Sequence, residues 1–247
     1  MNLFCMRFGY FCLLPDEVKD SDVLEVGSLN VNGSFRKICD EEKPKSYIGV
    51  DIVAGDGVDE ICSIHNLVER FGRNSFDYVI ATEILEHIED WKSAIRNLKD
   101  VCREDGCIIL TTRSKGFPYH GCPSDFWRYE KDDIRKIFAD FHIYLVEDDI
   151  TEPGVMAFVQ KHKNYVPDEK CYELELTKVE PFMRDIPFEK MDISNLSGYG
   201  STIFGVPIAH SWSELYLIER VFRHYNCQAV VEMGIWFGGL FFGRRVL

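Results

Sequence analysis

Residues 23 to 33 read Val-Leu-Glu-Val-Gly-Ser-Leu-Asn-Val-Asn-Gly, an apolar strand that ends at Gly27, a polar turn, and Gly33 ahead of a possible helix start. A helix that begins just after a strand presents unpaired backbone N–H groups, and glycine lets a ligand come close to them. The unit suits a nucleotide or another ligand with a negatively charged end. On its own it fits a structural turn equally well, because Leu29 and Val31 stand where a glycine-rich loop has glycines. The run YIGVDI carries Asp51, 24 residues after Gly27. A carboxylate at the carboxyl edge of a strand can accept both hydroxyl hydrogens of a ribose, and the alternative for Asp51 is a solvated strand end.

Two histidines supply groups that accept a proton near neutral pH, His87 at the end of TEILEH and His120 in the loop RSKGFPYHGCPSDFWRY. Their alternatives are a helix-cap or second-layer role for His87 and loop packing for His120. Glu83 and His87, at i and i+4, make half of a metal site; no third ligand is visible in the sequence, so no metal is expected. Tyr119, Phe126 and Trp127 either wall water from a site or pack their loop onto a sheet. Asp125 and Arg128 either pair with each other or contact a substrate.

These residues need a scaffold that brings strand ends together. Short apolar runs at 23–27, 47–52, 58–63, 76–82 and 106–112 alternate with helical periodicity, the pattern of βα units around a mostly parallel sheet. Ile84, Ile88, Trp91, Ile95, Leu98 and Cys102 recur at spacings of 3 and 4, which predicts one helix with a single buried stripe. A second helix is expected over EKDDIRKIFADF. The strands 142–149 and 154–160 are separated only by ITEP, too short for a crossover, so they must form an antiparallel hairpin at the end of the sheet.

Charge and cysteine content narrow the function classes. The 28 Lys and Arg against 41 Asp and Glu give a formal charge of -13, which provides no electrostatic footprint for a polyanion and argues against a nucleic-acid partner. Nine cysteines, odd in number and without a CxxC pair, point to free thiols in a reducing cytoplasm and to neither a disulfide scaffold nor a zinc site. The apolar N-terminus, interrupted by Arg7, reads as a packing helix and not as a signal peptide or membrane span.

Residues 164–200, with Pro167, Pro181, Pro187, many charges and no sustained period, read as a connector with little fixed structure. Beyond it a capping box at Ser211–Glu214 opens a helix. The run AVVEMG then repeats the outline of VLEVG, with only eight residues after Gly239. The expected organisation is a domain over 1–163, a connector over 164–200, and a second α/β segment over 201–247 that stops after its first strand. The stretch FGVPIAHSWSELYLIERVFRHYNCQAVVEMGIWFGG is similar to the start of cephalosporin hydroxylase-like proteins.

The loop and Asp51 serve a dinucleotide and S-adenosylmethionine alike. FDYVIATEILEH, together with the closing hairpin, resembles class I S-adenosylmethionine-dependent methyltransferases over residues 20 to 162, with VLEVG as the first motif and GVDI as the second. The resemblance implies a Rossmann-like, doubly wound, mostly parallel sheet. It places Glu25 and Gly27 near the methionine end of the cofactor and Asp51 at the ribose, with Ser28, Asn30 and Ile52 also among the cofactor-binding residues. Ser63 and Ile64 would lie at the adenine, where an Asp is common in the family, and the junction Ala81-Thr82-Glu83 would close over the cofactor. Asn30 and Asn32 would supply side-chain contacts in place of the absent glycines. His87 and His120 become candidates for catalysis, and Tyr119, Asp125, Trp127 and Arg128 for substrate contact. The implied activity is methyl transfer to oxygen or nitrogen of a small-molecule or sugar-containing acceptor; a catalytically inactive cofactor-binding module and a dinucleotide-dependent oxidoreductase are the rivals.

Overall fold

The computed structural model describes residues 3–13, 18–31, 33–120, 124–179, 202–203 and 206–207. The chain divides into two compact units, Met1–Pro181 and Phe182–Leu247. In the second, the described residues form one antiparallel pair, Thr202–Ile203 with Val206–Pro207. The expected Ser211 capping box, the AVVEMG strand and the resemblance of the C-terminal stretch lie outside the described residues.

The first unit is built on strands β1 (Asp22–Val26), β2 (Ser46–Asp51), β3 (Glu60–Ile61), β4 (Phe76–Thr82) and β5 (Cys102–Arg113). A short β6 (Trp127–Arg128) precedes β7 (Phe141–Asp148) and β8 (Gly154–Lys161). The seven-stranded sheet has the order β3-β2-β1-β4-β5-β8-β7. Strands β1 to β5 run parallel, and β8 lies antiparallel between β5 and β7. The sequence explains the central strands. Leu24 and Val26 of β1 enter one apolar layer and Val23 the other, so the strand is buried on both faces and reads as an apolar run broken only by Glu25.

Helix α1 (Leu3–Cys12) buries Cys5, Phe8 and Cys12 in the second layer, as a packing helix should. Helices α2 (Arg36–Glu41) and α3 (Leu67–Phe71) follow β1 and β3. Helix α4 (Trp91–Val101) carries the stripe Trp91, Ala94, Ile95, Leu98 and Val101 against the sheet, and α5 (Lys131–Ile137) starts at a capping box of Glu130 and Asp133. The helix expected from Ile84 is broken. Glu83 takes a left-handed φ of 54°, Leu85–His87 form one 3-10 turn, and the side chain of Asp90 accepts from Ser93 N at 3.2 Å to start α4 afresh. Cys102, the expected end of the stripe, already belongs to β5.

Residues 164–179 also differ from expectation. A 3-10 turn at Glu169–Tyr172 and strand β9 (Thr177–Lys178) pack onto the first unit, with β9 antiparallel to β6 and Val179 N donating to Phe126 O at 2.7 Å. Cys171, Tyr172 and Leu176 are buried in the main core. Three positions at gaps of 1 and 4, set among charges, are too few to establish a period, which is why a periodicity argument misses them.

None of Cys5, Cys12, Cys39, Cys62, Cys102, Cys107 and Cys171 is in a disulfide. Among the described residues no helix is long and apolar enough to cross a membrane.

Candidate active site

The loops after β1, β2, β4 and β5 leave the carboxyl ends of parallel strands, the edge at which open α/β sheets bind ligands. After β1 the chain turns at Gly27, whose φ of +76° suits glycine, and Gly27 N and Ser28 N both donate to Val50 O at 2.8 and 3.1 Å. A Cβ at Gly27 would sit 2.8 Å from Ile84 Cδ1, so the β1 loop passes directly under the loop that follows β4. Gly27→Ala is therefore expected to cost about 1–2 kcal/mol in urea unfolding, from the left-handed backbone and the displaced Ile84, and to weaken cofactor binding by calorimetry.

Glu25 is buried beneath this loop, accepting from Ser34 Oγ at 2.9 Å and Tyr47 Oη at 2.8 Å. Burial pushes its carboxyl above the usual range against these hydrogen bonds. Its acceptor positions hold the start of α2, so Glu25 shapes the loop from below. Asn30 is a brace as well: its Nδ2 donates to Asp56 Oδ2 at 2.8 Å and its Oδ1 accepts from Gly33 N at 3.1 Å. Each end of the amide thus makes one contact within the loop, with a second Nδ2 hydrogen and a second Oδ1 lone pair beyond these contacts. Asn32 lies outside the described residues. The Ser28 hydroxyl is buried without a hydrogen-bond partner.

Asp51 is half-buried at the end of β2, accepting from Leu29 N at 3.3 Å and Val53 N at 3.1 Å. Each carboxylate oxygen has a second lone pair free of these amides. Beside it, Ile52 is 62% exposed, an apolar surface at the strand end with nothing packed over most of it. Ser63 caps the turn Ile64–Asn66, its Oγ accepting from His65 N at 3.3 Å, and Ile64 is buried.

Ala81 and Thr82 end β4 in the core. Glu83 folds back over β5, accepting from Thr111 Oγ1 at 2.7 Å and pairing with Arg113. Burial and the neighbouring Glu86 carboxylate raise its pKa against the pull of Arg113.

The β4 and β5 loops bring together a cluster that the sequence conceals. Glu86, fully buried, accepts from Thr112 Oγ1 at 2.9 Å with Oε2 and leaves Oε1 without a hydrogen-bond partner. His120 Nε2 lies 3.6 Å from that oxygen, and His120 Nδ1 lies 3.0 Å from Asp125 Oδ2. Burial would lower the His120 pKa, but the Asp125 and Glu86 carboxylates outweigh it and raise it to about 9. The His87 ring meets the His120 ring edge-on at 4.7 Å, and its Nδ1 lies 2.5 Å from Ser124 O.

Arg128 and Asp125 pair in a buried bidentate contact of 2.5 and 2.7 Å. The guanidinium donates further to Phe117 O, Pro118 O and Trp127 O. All of its directions are used in holding the loop, so of the two alternatives for Asp125 and Arg128 the structure shows the pairing with each other. Arg128 holds Asp125, and Asp125 holds His120. Trp127 likewise packs the loop, its Nε1 donating to Ile88 O at 3.0 Å. Tyr119 is half-buried on the same loop.

A family model described as a methyltransferase domain matches residues 4–144, more than half of the chain. Among solved structures, the chain is similar to Burkholderia thailandensis 1,6-didemethyltoxoflavin-N1-methyltransferase, with 14% identity over 64% of this chain and 79% of that one and a TM-score of 0.52. It is also similar to an S-adenosylmethionine dependent methyltransferase from Listeria monocytogenes, with 12% identity over 65% of this chain and 99% of that one and a TM-score of 0.50. At these identities the likeness concerns the fold. No curated protein matches the chain.

Proposed function

The chain belongs to the methyltransferase domain family, enzymes that take their methyl group from S-adenosylmethionine, and from that premise we propose that it methylates a small-molecule acceptor. The observation that carries this reading is the pairing of Gly27 and Asp51 on adjacent strand ends. A glycine turn that passes close under Ile84 stands next to a half-buried carboxylate with spare lone pairs.

The residues present fit the cofactor. Asp51 holds the two ribose hydroxyls, and Ile52 and Ile64 offer apolar surface to the adenine. The Ser28 hydroxyl, orphaned at the loop, and the Gly27 turn serve the methionine end. Ser63 spends its Oγ on its own turn, which leaves the adenine edge to backbone groups.

S-adenosylmethionine supplies a sulfonium-activated methyl, so the chain's own part is binding and alignment. Holding an acceptor atom in line at about 3–3.5 Å is worth roughly 7–11 kcal/mol of barrier. Acceptor chemistry falls to the β4 and β5 loops, where Glu86, His87 and His120 converge and Tyr119 and Phe117 supply apolar cover. The net charge of -13 favours a small molecule over nucleic acid. The Burkholderia protein was solved with 1,6-didemethyltoxoflavin and S-adenosylhomocysteine bound, which supports a small acceptor here. The domain that does this work, on our reading, runs to about residue 179 instead of 163.

The test is transfer of labelled methyl from S-adenosylmethionine to a panel of hydroxylated and amino-bearing small molecules, alongside calorimetry with S-adenosylhomocysteine. Binding with turnover supports the proposal. Binding with no turnover on any acceptor would favour a cofactor-holding module, and the absence of binding would sink the reading altogether.

A further inference from the structure

We propose that Glu86, His87 and His120 form a binding site for one divalent transition-metal cation of the zinc class. The three residues come from the turn after β4 and the loop after β5, and their ligand atoms all lie within 4.8 Å of one another. Zinc-class ions held by a carboxylate and two imidazoles at about 2.0–2.2 Å place neighbouring ligand atoms roughly 3.4 Å apart in a tetrahedral shell. The 3.6 Å between Glu86 Oε1 and His120 Nε2 is close to that separation, so the cluster needs only about an ångström of closure to form a shell.

Three features of the surroundings fit a metal better than a plain hydrogen-bond cluster. Glu86 is fully buried, yet its Oε1 has no hydrogen-bond partner. A buried carboxylate oxygen whose nearest partner, His120 Nε2, stands 3.6 Å away, beyond hydrogen-bond reach, carries a desolvation cost that a bound cation would recover. His120 has Nδ1 against Asp125 Oδ2 at 3.0 Å, and His87 has Nδ1 against Ser124 O at 2.5 Å. With Nδ1 of each ring held by an acceptor, a metal ion would displace the proton from Nε2, which on His120 faces Glu86 Oε1, and bind that nitrogen in the arrangement in which metal-bound histidines are held. Asp125 is in turn locked by Arg128, so the carboxylate behind His120 is itself rigid. Two nitrogen donors disfavour Mg²⁺ or Ca²⁺, which take oxygen ligands.

Three protein ligands leave an open position, which an acceptor hydroxyl or carboxylate could complete. That role rests on the methyl-transfer reading; metal binding itself does not. Ile84, which covers Gly27, is two residues from Glu86, so the cluster adjoins the cofactor loop along the chain.

The full-length protein, stripped by a chelator and dialysed free of it, is titrated with Zn²⁺ by calorimetry and with Co²⁺ by visible absorption. One ion per chain is expected. Glu86→Gln and His120→Gln should each weaken Zn²⁺ binding at least about tenfold, while His142→Gln, on β7, leaves it unchanged. His87→Ala, at a half-exposed position, guards against misfolding of the Glu86 variant and should show the same loss. Binding below a tenth of an ion per chain, or wild-type affinity in His87→Ala and His120→Gln, would overturn the site. Calorimetry with S-adenosylhomocysteine on the same samples separates the two readings: lost cofactor binding with retained Zn²⁺ refutes the methyl-transfer assignment and leaves the metal site standing.

Discussion

Truncation after residue 163 is expected to lower the stability of the first unit by about 3–6 kcal/mol, a large part of the roughly 5–15 kcal/mol that holds a domain together. The segment 164–179 covers one end of the core. Tyr165 Oη donates to Asp140 Oδ2 at 2.7 Å, and the other oxygen of that buried carboxylate accepts from Lys99 Nζ at 2.7 Å. Lys99 is 1% exposed and also donates to Ile137 O. Uncovering such a pair removes a hydrogen bond to a charged group, about 1.5–3 kcal/mol. Tyr172 stacks toward Trp91 at 6.3 Å and Tyr165 meets Phe141 edge-on at 5.2 Å. Wetting those faces costs about as much as exposing one large side chain, roughly 1.5–3 kcal/mol. The truncated chain no longer bears the ordering entropy of the deleted residues, which holds the loss within this range. A chain ending at residue 181 keeps every one of these contacts. Urea unfolding of the two truncations against the full chain measures the difference, and equal midpoints for 1–163 and 1–181 would show the segment to be a mere connector.

What the sequence reveals follows from which interactions leave a local trace. Strands β1, β4 and β5 are buried on both faces, so each is an apolar run with turn residues at its ends, and ITEP forces the antiparallel hairpin that gives the sheet its order. Gly27 and Asp51 are legible because glycine and a strand-end carboxylate each answer a backbone requirement. The break at Glu83 is not legible: the apolar spacing of Ile84 and Ile88 carries on through a 3-10 turn as if the helix were continuous. Asp125 and Arg128 are visible as an i, i+3 pair, but only burial decides that the pair holds a loop. The approach of Glu86 to His120 joins residues 34 positions apart through two strand ends, and no periodicity marks it. Residues 164–179 anchor through Tyr165, Cys171, Tyr172 and Leu176, spaced without a repeat, among prolines and charges that otherwise signal a linker.

Asp51→Ala is expected to weaken S-adenosylhomocysteine binding by roughly 10- to 100-fold in calorimetry. One carboxylate accepting from two ribose hydroxyls makes two charge-assisted hydrogen bonds, and losing both, with the hydroxyls returned to water, costs about 1.5–3 kcal/mol, where 1.4 kcal/mol is a factor of ten. The substitution also frees Leu29 N and Val53 N, so a loosened loop would lower affinity with no ribose contact at all. A cycle with the 2′,3′-dideoxy analogue separates the two causes. If the carboxylate meets the ribose, the wild type prefers the hydroxylated ligand by about the same factor as the mutation costs, and Asp51→Ala binds both ligands alike. If it only braces the loop, the variant binds both more weakly and keeps the wild-type preference between them. Asp51→Asn sharpens the comparison, because its one amide oxygen can still accept from either Leu29 N or Val53 N, though not both, while the charge that strengthens the ribose contacts is gone. The variant should therefore recover part of the loop's stability and little of the ligand preference, and a full recovery of both would remove Asp51 from the binding site.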